Sequence, residues 1–363
     1  MLYICVTLDY ELFMGENHLS EDEVLITPTN SLLATLDKAG VKATFFADVC
    51  FPLSFKNSDY KNQQFIYDME GQMRDIVMRG HDVQLHIHPH WYHAKYYDNG
   101  NVEFDPKYYR VHNYGFNKTN KSSADSIITD GIRYLNDLLT EADGDYKCIA
   151  YRAGGFCLQP EKELIKALTD AGIKIDSSVA MFFDFTSENM FYHYKLDFNN
   201  NVNFFMSDEY GLEKRYVQKI KNNMLFEIPV GGYKTFPVKN FISKMNAPLA
   251  KGRMRGSSMK TLNSPTSNSK ILKLKARING IVNNPLMMSF DFYGSDSLSA
   301  MVKRFAKENK YKNRDIFISL IGHPKMLYDT HLENLGETLS GLKKDPFIDF
   351  ITMQDACKIL KLD

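Results

Sequence analysis

The chain has 363 residues, 44% of them apolar, and a formal net charge of zero. The apolar fraction suffices for a large core, and single α/β barrels often reach this length. The balanced charge argues against nucleic acid as a partner. No run approaches the roughly 18 apolar residues of a membrane span, no signal peptide is recognisable, and the scattered cysteines are typical of reduced thiols, so we expect a cytoplasmic protein without a transmembrane segment.

Strand and helix patterns alternate along almost the whole chain. They predict strands over 2–9, 41–48, 81–86, 148–152, 174–179, 224–230, 286–292, 315–321 and 347–351. They predict helices over 29–39, 63–79, 122–142, 160–171, 296–309, 330–343 and from 353 onward, and irregular chain over 92–120 and 181–222. Repeated βα units imply a parallel sheet, so we predict an α/β fold, a distorted (β/α) barrel formed by 1–363 as one domain.

One stretch differs from the rest in charge. No acidic residue lies between Glu227 and Asp291, whereas lysines and arginines recur there and include Arg253 and Arg255. We predict a basic insertion over 233–285 within the barrel. Its cations would suit phosphate groups, but a solvated loop or a patch on a membrane surface would explain them as well.

Two carboxylates lie at the end of the first predicted strand. Asp9 and Glu11 are two residues apart, so their side chains point to the same face of an extended chain. The carboxyl ends of barrel strands form the mouth of an active site, where one carboxylate could bind a metal ion and the other could accept a proton. Solvated loop acids are the ordinary alternative, but the apolar strand before them and the histidines elsewhere favour a site.

A cluster of histidines begins in the third predicted strand and continues beyond it. Half of the ten histidines fall within 81–93. His86 and His90 would share a face if the chain turned helical, whereas His86 and His88 share one if it stays extended. Pro89 favours an extended His88, because the residue before a proline avoids the helical region, but His90 could still bind beyond the turn. All three are candidate ligands or site-lining residues.

Two further candidates end later strands. His323 follows the strand over 315–321, and Arg152 ends the strand over 148–152, where an arginine could keep a catalytic carboxylate ionised. A core histidine and a surface arginine are the ordinary alternatives, and we expect His81 and His93 to be structural. Carboxylate oxygens with neutral imidazoles suit a divalent metal, with zinc the expected ion, which can make water a nucleophile near neutral pH.

In this order, these segments resemble the motifs of the NodB-homology polysaccharide deacetylases, carbohydrate esterase family 4. Gly40–Phe46 matches a G-[IV]-x-A-T-F-F strand of the family closely. The other similar segments are Thr7–Tyr10, Gly80–His90, Tyr151–Phe156, Asp176–Ser178 and Ile321–His323. The resemblance spans nearly the whole chain, and it implies a barrel of the glycoside hydrolase/deacetylase type.

The resemblance also implies a set of metal ligands. Tyr10 stands where the first motif has its second aspartate, which is a ligand in the family. Some members use a D-x-[DE] arrangement, which would make Glu11 the ligand here. His86 and His90 are the nearest matches to the metal histidines, and His88 adds a third imidazole between them, so the ligands would be Glu11, His86 and His90 or His88.

The roles implied by the resemblance are those of an N-deacetylase. Asp9 would be the base, Arg152 would hold it, and His323 would protonate the leaving amine. The reaction would release acetate from an acetamido sugar, carried on a nucleotide or lipid diphosphate, in a divergent branch serving lipopolysaccharide or capsule biosynthesis. The rivals are a hydrolase of another amide, as in allantoinase-like relatives, a non-catalytic carbohydrate-binding protein and, last, a glycosidase using Asp9 and Glu11.

Overall fold

The computed structural model describes most of the chain. The described residues are 1–14, 16–17, 19–97, 102–199, 201–234, 257–258, 285–291, 295–310, 312, 314–327 and 329–362. The predicted basic insertion over 233–285 lies outside them, except at 233, 234, 257, 258 and 285. The single domain and the insertion therefore stay predictions.

A ten-stranded sheet forms the centre of the described structure. Its strands are β1 (Leu2–Tyr10), β2 (Ala43–Asp48), β3 (Asp82–Ile87), β4 (Ala150–Ala153), β5 (Ile175–Asp176), β6 (Phe204–Ser207), β7 (Gly211–Tyr216), β8 (Met224–Glu227), β9 (Ile316–Gly322) and β10 (Ile348–Phe350). Their spatial order is β7-β6-β8-β5-β4-β3-β2-β1-β9, and β10 also pairs with β1. From β8 to β9 along this path, neighbouring strands are parallel, so the predicted α/β class is confirmed.

The sheet curls into a half-barrel. The chain that follows β8 reaches β9, where the amide of Gly231 donates to the carbonyl of Ser319 at 2.9 Å. The amide of Ser319 in turn donates to the carbonyl of Pro229 at 2.9 Å. The carboxyl ends of the parallel strands consequently face one rim, which is where the predicted site residues follow their strands.

Except for the last helix, which packs inside the curl, the helices cover the outer face of the sheet. They are α1 (Thr27–Ala39), α2 (Cys50–Phe55), α3 (Gln63–Met78), α4 (Ala124–Leu139), α5 (Glu161–Asp170), α6 (Ser295–Asn309), α7 (Asp329–Leu342) and α8 (Met353–Leu360). A π-helix spans Asp22–Ile26, and 3-10 turns span Pro89–His93, Pro106–Tyr108, Val111–Tyr114, Gly154–Phe156 and Pro324–Met326. Among the helices of the described ranges, none is long and apolar enough to cross a membrane.

Local sequence fixes where several helices begin and end. Gly40 follows α1 with a left-handed φ of 63°, a conformation that glycine adopts without steric cost. A capping box is present at the start of α8. The amide of Asp355 donates to the Thr352 hydroxyl at 3.1 Å, and the amide of Thr352 donates to the Asp355 carboxylate at 3.0 Å.

Side-chain alternation along the strands divides the core into two layers. Ile4 and Val6 of β1 pack with the apolar faces of the helices in the larger cluster. Cys5 points the other way and belongs to a second cluster inside the curl, with Phe46 of β2 and Met353 of α8. The inner face is apolar near α8 and becomes polar toward the rim.

The region over 181–222 is more regular than the sequence predicted. It contains β6, β7 and a hairpin of Asp184–Thr186 with Phe191–His193. These strands have at most six residues, which is too short for a period to stand out, and much of β7 is an exposed edge without apolar alternation. Three predicted strands are also shorter than predicted, at Ile175–Asp176, Met224–Glu227 and Leu286–Met287.

Candidate metal centre

Two buried carboxylates lie at the rim end of β1. Asp9 and Glu11 are only 5% and 7% exposed, and both point to the inner face of the curl, as their spacing predicted. The Oε2 atom of Glu11 lies 3.3 Å from Nε2 of His86 and contacts Nε2 of His88. The alternative of solvated loop acids is therefore wrong.

Glu11, His86 and His88 form a group with the geometry of a metal site. One ligand atom from each lies within 4.8 Å of the others, and all three residues are buried. Oε2 of Glu11 and Nε2 of both histidines have no hydrogen-bond partner of suitable geometry. Buried polar atoms are normally satisfied, so three converging lone-pair atoms without hydrogen-bond partners fit a shared cation.

His90 is not part of this group. Pro89 begins a 3-10 turn, and His88 before it keeps a non-helical φ of −115°. His86 and His88 therefore stay on one face, whereas His90 packs among the rings of Trp91 and Phe104, each 4.8 Å away between centroids. Burial lowers the pKa of His90 well below its ordinary value. Of the histidine pairs that the sequence left open, the structure brings His86 and His88 together beside Glu11 and leaves His90 outside that group.

Contacts behind His86 fix its tautomer. Nδ1 of His86 lies 2.8 Å from the backbone carbonyl of Arg152. A carbonyl can only accept, so Nδ1 carries a proton, and Nε2 is the atom of the neutral ring that is left to bind a cation beside Glu11. Burial lowers the pKa of His86, but the nearby Asp9 and Glu11 carboxylates outweigh it and raise the pKa above its ordinary value.

Arg152 is fully buried and pairs with Asp9, as the sequence predicted. Nη1 donates to Oδ1 of Asp9 at 2.6 Å, while Nε and Nη2 donate to the carbonyl and hydroxyl of Ser177 at 2.9 and 3.0 Å. Burial would raise the pKa of Asp9, but Arg152, followed by His86 and His323, holds it below its ordinary value. Asp9 is therefore an ionised carboxylate whose Oδ2 faces the site.

His323 lies on the other side of the two carboxylates. Its Nε2 is 3.6 Å from Oδ2 of Asp9 and 3.7 Å from Oε1 of Glu11. Nδ1 donates to Oδ2 of Asp291 at 2.7 Å, and Oδ1 of Asp291 accepts from the backbone amide of His323 at 2.8 Å. Burial lowers the pKa of His323, but Asp291 and the two rim carboxylates outweigh it and raise the pKa.

Sequence reasoning missed three residues of the site. Asp291 falls at the end of the predicted strand over 286–292, and Asp48 ends β2, so strand-end acids were the available signal. Asp48 accepts from Nε1 of Trp91 at 2.7 Å and from the amide of His88 at 3.2 Å. No sequence pattern pointed to Lys325, yet its Nζ donates to Oε1 of Glu11 at 2.7 Å.

Comparison with known proteins gives only distant likenesses. No family model matches the sequence, and no curated protein matches it. One similar structure is Puue allantoinase, with 10% identity, 99% of this chain and 89% of that chain covered, and a TM-score of 0.49. A probable polysaccharide deacetylase from Pseudomonas aeruginosa PAO1 has 11% identity, coverage of 99% and 90%, and a TM-score of 0.45.

A third similar structure is a family 4 acetyl xylan esterase from Clostridium thermocellum in complex with a cobalt ion. It has 13% identity, covers 98% of this chain and 91% of that chain, and has a TM-score of 0.35. Likenesses at this level do not establish a function for this chain. The chemistry of the site has to be argued from its own atoms.

Those atoms suit a divalent transition metal. Two neutral imidazoles and one carboxylate are a donor set found in catalytic zinc sites, which keep a further position open for water or substrate. The same donors also suit other divalent transition ions, so they identify the class of metal. A carboxylate held ionised by Arg152 and an imidazole whose pKa is raised by Asp291 flank this set. The arrangement can therefore remove one proton and supply another at a single centre.

Proposed function

We propose that this protein is a metal-dependent hydrolase that removes the acetyl group from an acetamido sugar and releases acetate. The observation that carries the proposal is the placement of Asp9 and His323 on the Glu11–His86–His88 group. Oδ2 of Asp9 is 3.9 Å from Nε2 of His86 and 3.6 Å from Nε2 of His323. A base, an acid and a metal-binding group thus converge, as amide hydrolysis requires.

Each residue has one task in this proposal. Glu11, His86 and His88 would hold the metal, for which we propose zinc, and the bound ion would polarise the amide carbonyl and acidify water. Asp9 accepts the proton of the attacking water through Oδ2, since Arg152 occupies Oδ1.

The acid acts on the other side of the amide. His323 donates a proton from Nε2 to the leaving amine, because its Nδ1 is engaged by Asp291. Asp291 also raises the pKa of this imidazole and orients the ring before the transfer. The products are acetate and the free amino sugar.

The choice of an acetamido sugar rests on the resemblance of the sequence motifs to NodB-type deacetylases. The proposal that the fold is a distorted barrel of that type rests on the same resemblance. The proposal includes a cytoplasmic location and a role in lipopolysaccharide or capsule biosynthesis. All five cysteines lie in the described part of the chain, where they are buried and form no disulfide, which agrees with a reducing compartment. We further propose that the basic stretch over 233–285 binds the phosphate of a carrier. Charge reversal at Arg253 and Arg255 should then raise KM for a phosphate-linked substrate, and an unchanged KM would exclude this role.

Metal content of the purified protein, compared with that of His86→Ala, tests the first half of the proposal. We expect close to one equivalent of a divalent metal in the wild type and none in the variant, with the exposed His93→Ala as a control that keeps it. Acetate release from acetamido sugars and nucleotide sugars tests the second half. A metal-loaded protein that hydrolyses allantoin but no acetamido sugar would support the allantoinase-like alternative. A protein that binds no metal would support a carbohydrate-binding role.

A further inference from the structure

Two buried carboxyl groups that the proposed reaction does not use lie side by side in the sheet. Asp176 ends β5 and Glu227 ends β8, and the two residues are directly opposite each other in the parallel pairing of these strands. Both are fully buried, and their side chains are hydrogen-bonded to each other. An ionised carboxylate can only accept a hydrogen bond, so one of the two groups must carry a proton.

The donors around the pair decide which carboxyl group holds that proton. Both oxygens of Asp176 accept from Ser178, Oδ1 from the hydroxyl at 2.7 Å and Oδ2 from the amide at 3.2 Å. Oε1 of Glu227 accepts from the amide of Val179 at 3.1 Å, whereas its Oε2 meets no donor of the described residues. Donated hydrogen bonds favour the charged form of a carboxyl group. The proton therefore belongs on Oε2 of Glu227, which donates it to Asp176.

Arg152 does not neutralise this pair. It attracts both carboxyl groups, but its nitrogens donate elsewhere, to Asp9 and to the hydroxyl and carbonyl of Ser177. Two buried carboxylates side by side cannot both stay ionised without a cation of their own. Burial, followed by the charge of Asp176, accordingly raises the pKa of Glu227 well above its ordinary value.

Two tyrosines also face the pair. Tyr151 of β4 and Tyr194, which directly follows the strand Phe191–His193, both feel the charge of Asp176. Burial raises the pKa of each tyrosine well above its ordinary value. Both are therefore neutral hydroxyls near neutral pH, and neither supplies a charge that could replace the shared proton.

The backbone around the pair holds the guanidinium of Arg152. Ser177, which follows Asp176, accepts from Nε of Arg152 at its carbonyl and from Nη2 at its hydroxyl. The same hydroxyl donates to the carbonyl of Ile228, which follows Glu227, at 2.8 Å. The ladder between β5 and β8 is two residue pairs long. So short a junction depends strongly on the contact between the two carboxyl groups.

We propose that Asp176 and Glu227 are positioning residues for Arg152, and that their one shared proton is a switch that holds β5 and β8 together. While the proton is present, the Oε2–H group of Glu227 joins the two strand ends. When hydroxide removes it, water forms and two carboxylates remain side by side. Their repulsion separates the strand ends and releases Ser177 from Arg152. The switch belongs to the fold around Arg152 and exists whatever reaction the metal centre catalyses.

Infrared spectroscopy tests for the shared proton directly. A protonated carboxyl group has a C=O stretching band that an ionised carboxylate lacks. We expect this band in the wild type at about pH 8, where ordinary carboxyl groups are ionised. It should be lost in Glu227→Gln, whose side-chain amide donates the same hydrogen bond without titrating. Glu213→Gln is the matched control, because Glu213 is an exposed glutamate of β7, and this variant should keep the band.

Hydrogen exchange tests whether the proton holds the strands together. The amide of Ile228 donates to the carbonyl of Asp176 at 2.9 Å, and Nε of Arg152 donates to Ser177. As the pH rises and the infrared band disappears, both N–H groups should exchange faster in the wild type than in Glu227→Gln at the same pH. The ratio of the two rates should grow by up to about tenfold per pH unit, which is the limit for one proton.

Asp176→Asn provides a second variant if Glu227→Gln folds poorly, because it removes the other member of the pair and should also abolish the band. The absence of a band at about pH 8 that depends on Glu227 would overturn the shared proton. A band that disappears without faster exchange at Ile228 would overturn the junction between the strands. Faster exchange at Ile228 with unchanged exchange at Arg152 would overturn the positioning role.

Discussion

Lys325 joins the metal centre to the end of β9. Its Nζ donates to Oε1 of Glu11 at 2.7 Å and to the carbonyl of Leu12 at 2.9 Å, and it lies 5.2 Å from the ring centre of Phe13. Burial would raise the pKa of Glu11, but Lys325, followed by His88, holds it well below its ordinary value. One carboxylate oxygen is therefore fixed by a lysine, and the other is free for a metal.

We predict that Lys325→Met destabilises the metal-free protein. The change leaves the buried Glu11 without its cation, so the free energy of unfolding should fall by about 3–5 kcal/mol. Urea unfolding measures it, with the exposed Lys303→Met as a control expected within about 0.5 kcal/mol of the wild type. Added metal should recover part of the loss, because a cation again faces Glu11. A variant as stable as the wild type would show that the pair contributes nothing.

The Asp291–His323 pair predicts a pH effect. His323 must be protonated to act as an acid, so the rate falls as the pH rises through its pKa. Asp291 is the largest cause that raises this pKa, and Asp291→Asn should therefore move the basic limb of kcat/KM to lower pH. The acidic limb belongs to Asp9, whose pKa is lowered, and should stay in place. A uniform loss of rate without a shifted limb would argue that Asp291 only supports the fold.

At the scale of elements, the end of β3 decides which histidines can act together. An extended His86-Ile87-His88 segment puts both imidazoles on the inner face, and the turn that begins at Pro89 removes His90 from it. We predict that His88→Ala loses the metal, whereas His90→Phe, which places another ring among aromatic neighbours, keeps it. Metal content after dialysis measures both variants. Retention in His88→Ala together with loss in His90→Phe would reverse this assignment.

The long elements followed from sequence periodicity. A helix predicted over 63–79 is α3 at Gln63–Met78, and a strand predicted over 315–321 is β9 at Ile316–Gly322. Each has enough residues for its apolar pattern to be seen. The edge strand β7 has six residues, of which only Gly211 and Leu212 are buried, so its existence depends on pairing with β6 and not on its own pattern.

At the scale of the whole molecule, His81 links stability to pH. Its Nδ1 accepts the backbone amide of Ala43 at 3.1 Å, which joins β2 to the start of β3 and confirms a structural role. Burial, with a smaller effect of Lys42, lowers the pKa of His81 from 6.5 to about 4. The unfolded chain thus takes up a proton at a higher pH than the folded chain. Stability from this group is complete above about pH 6.5 and is lost as the pH falls toward 4.

We predict a loss of roughly 3 kcal/mol from His81 across that range. Urea unfolding at about pH 7 and about pH 4 measures it for the wild type and for His81→Asn, whose side-chain oxygen can accept the same amide but does not titrate. The variant should lose less stability between the two conditions. An equal loss in both proteins would assign the pH dependence to other groups.

The sequence by itself determined the alternation of strands and helices, the shared face of Asp9 and Glu11, and an extended His88. These are local properties, set by side-chain period and by the proline that follows. Only the tertiary structure decided that His90 stays outside the group and that Lys325 pairs with Glu11, 314 residues away. The physical reason is the curl of the sheet, which brings together strand ends that are distant in the chain, whereas local patterns carry no information about which of them meet.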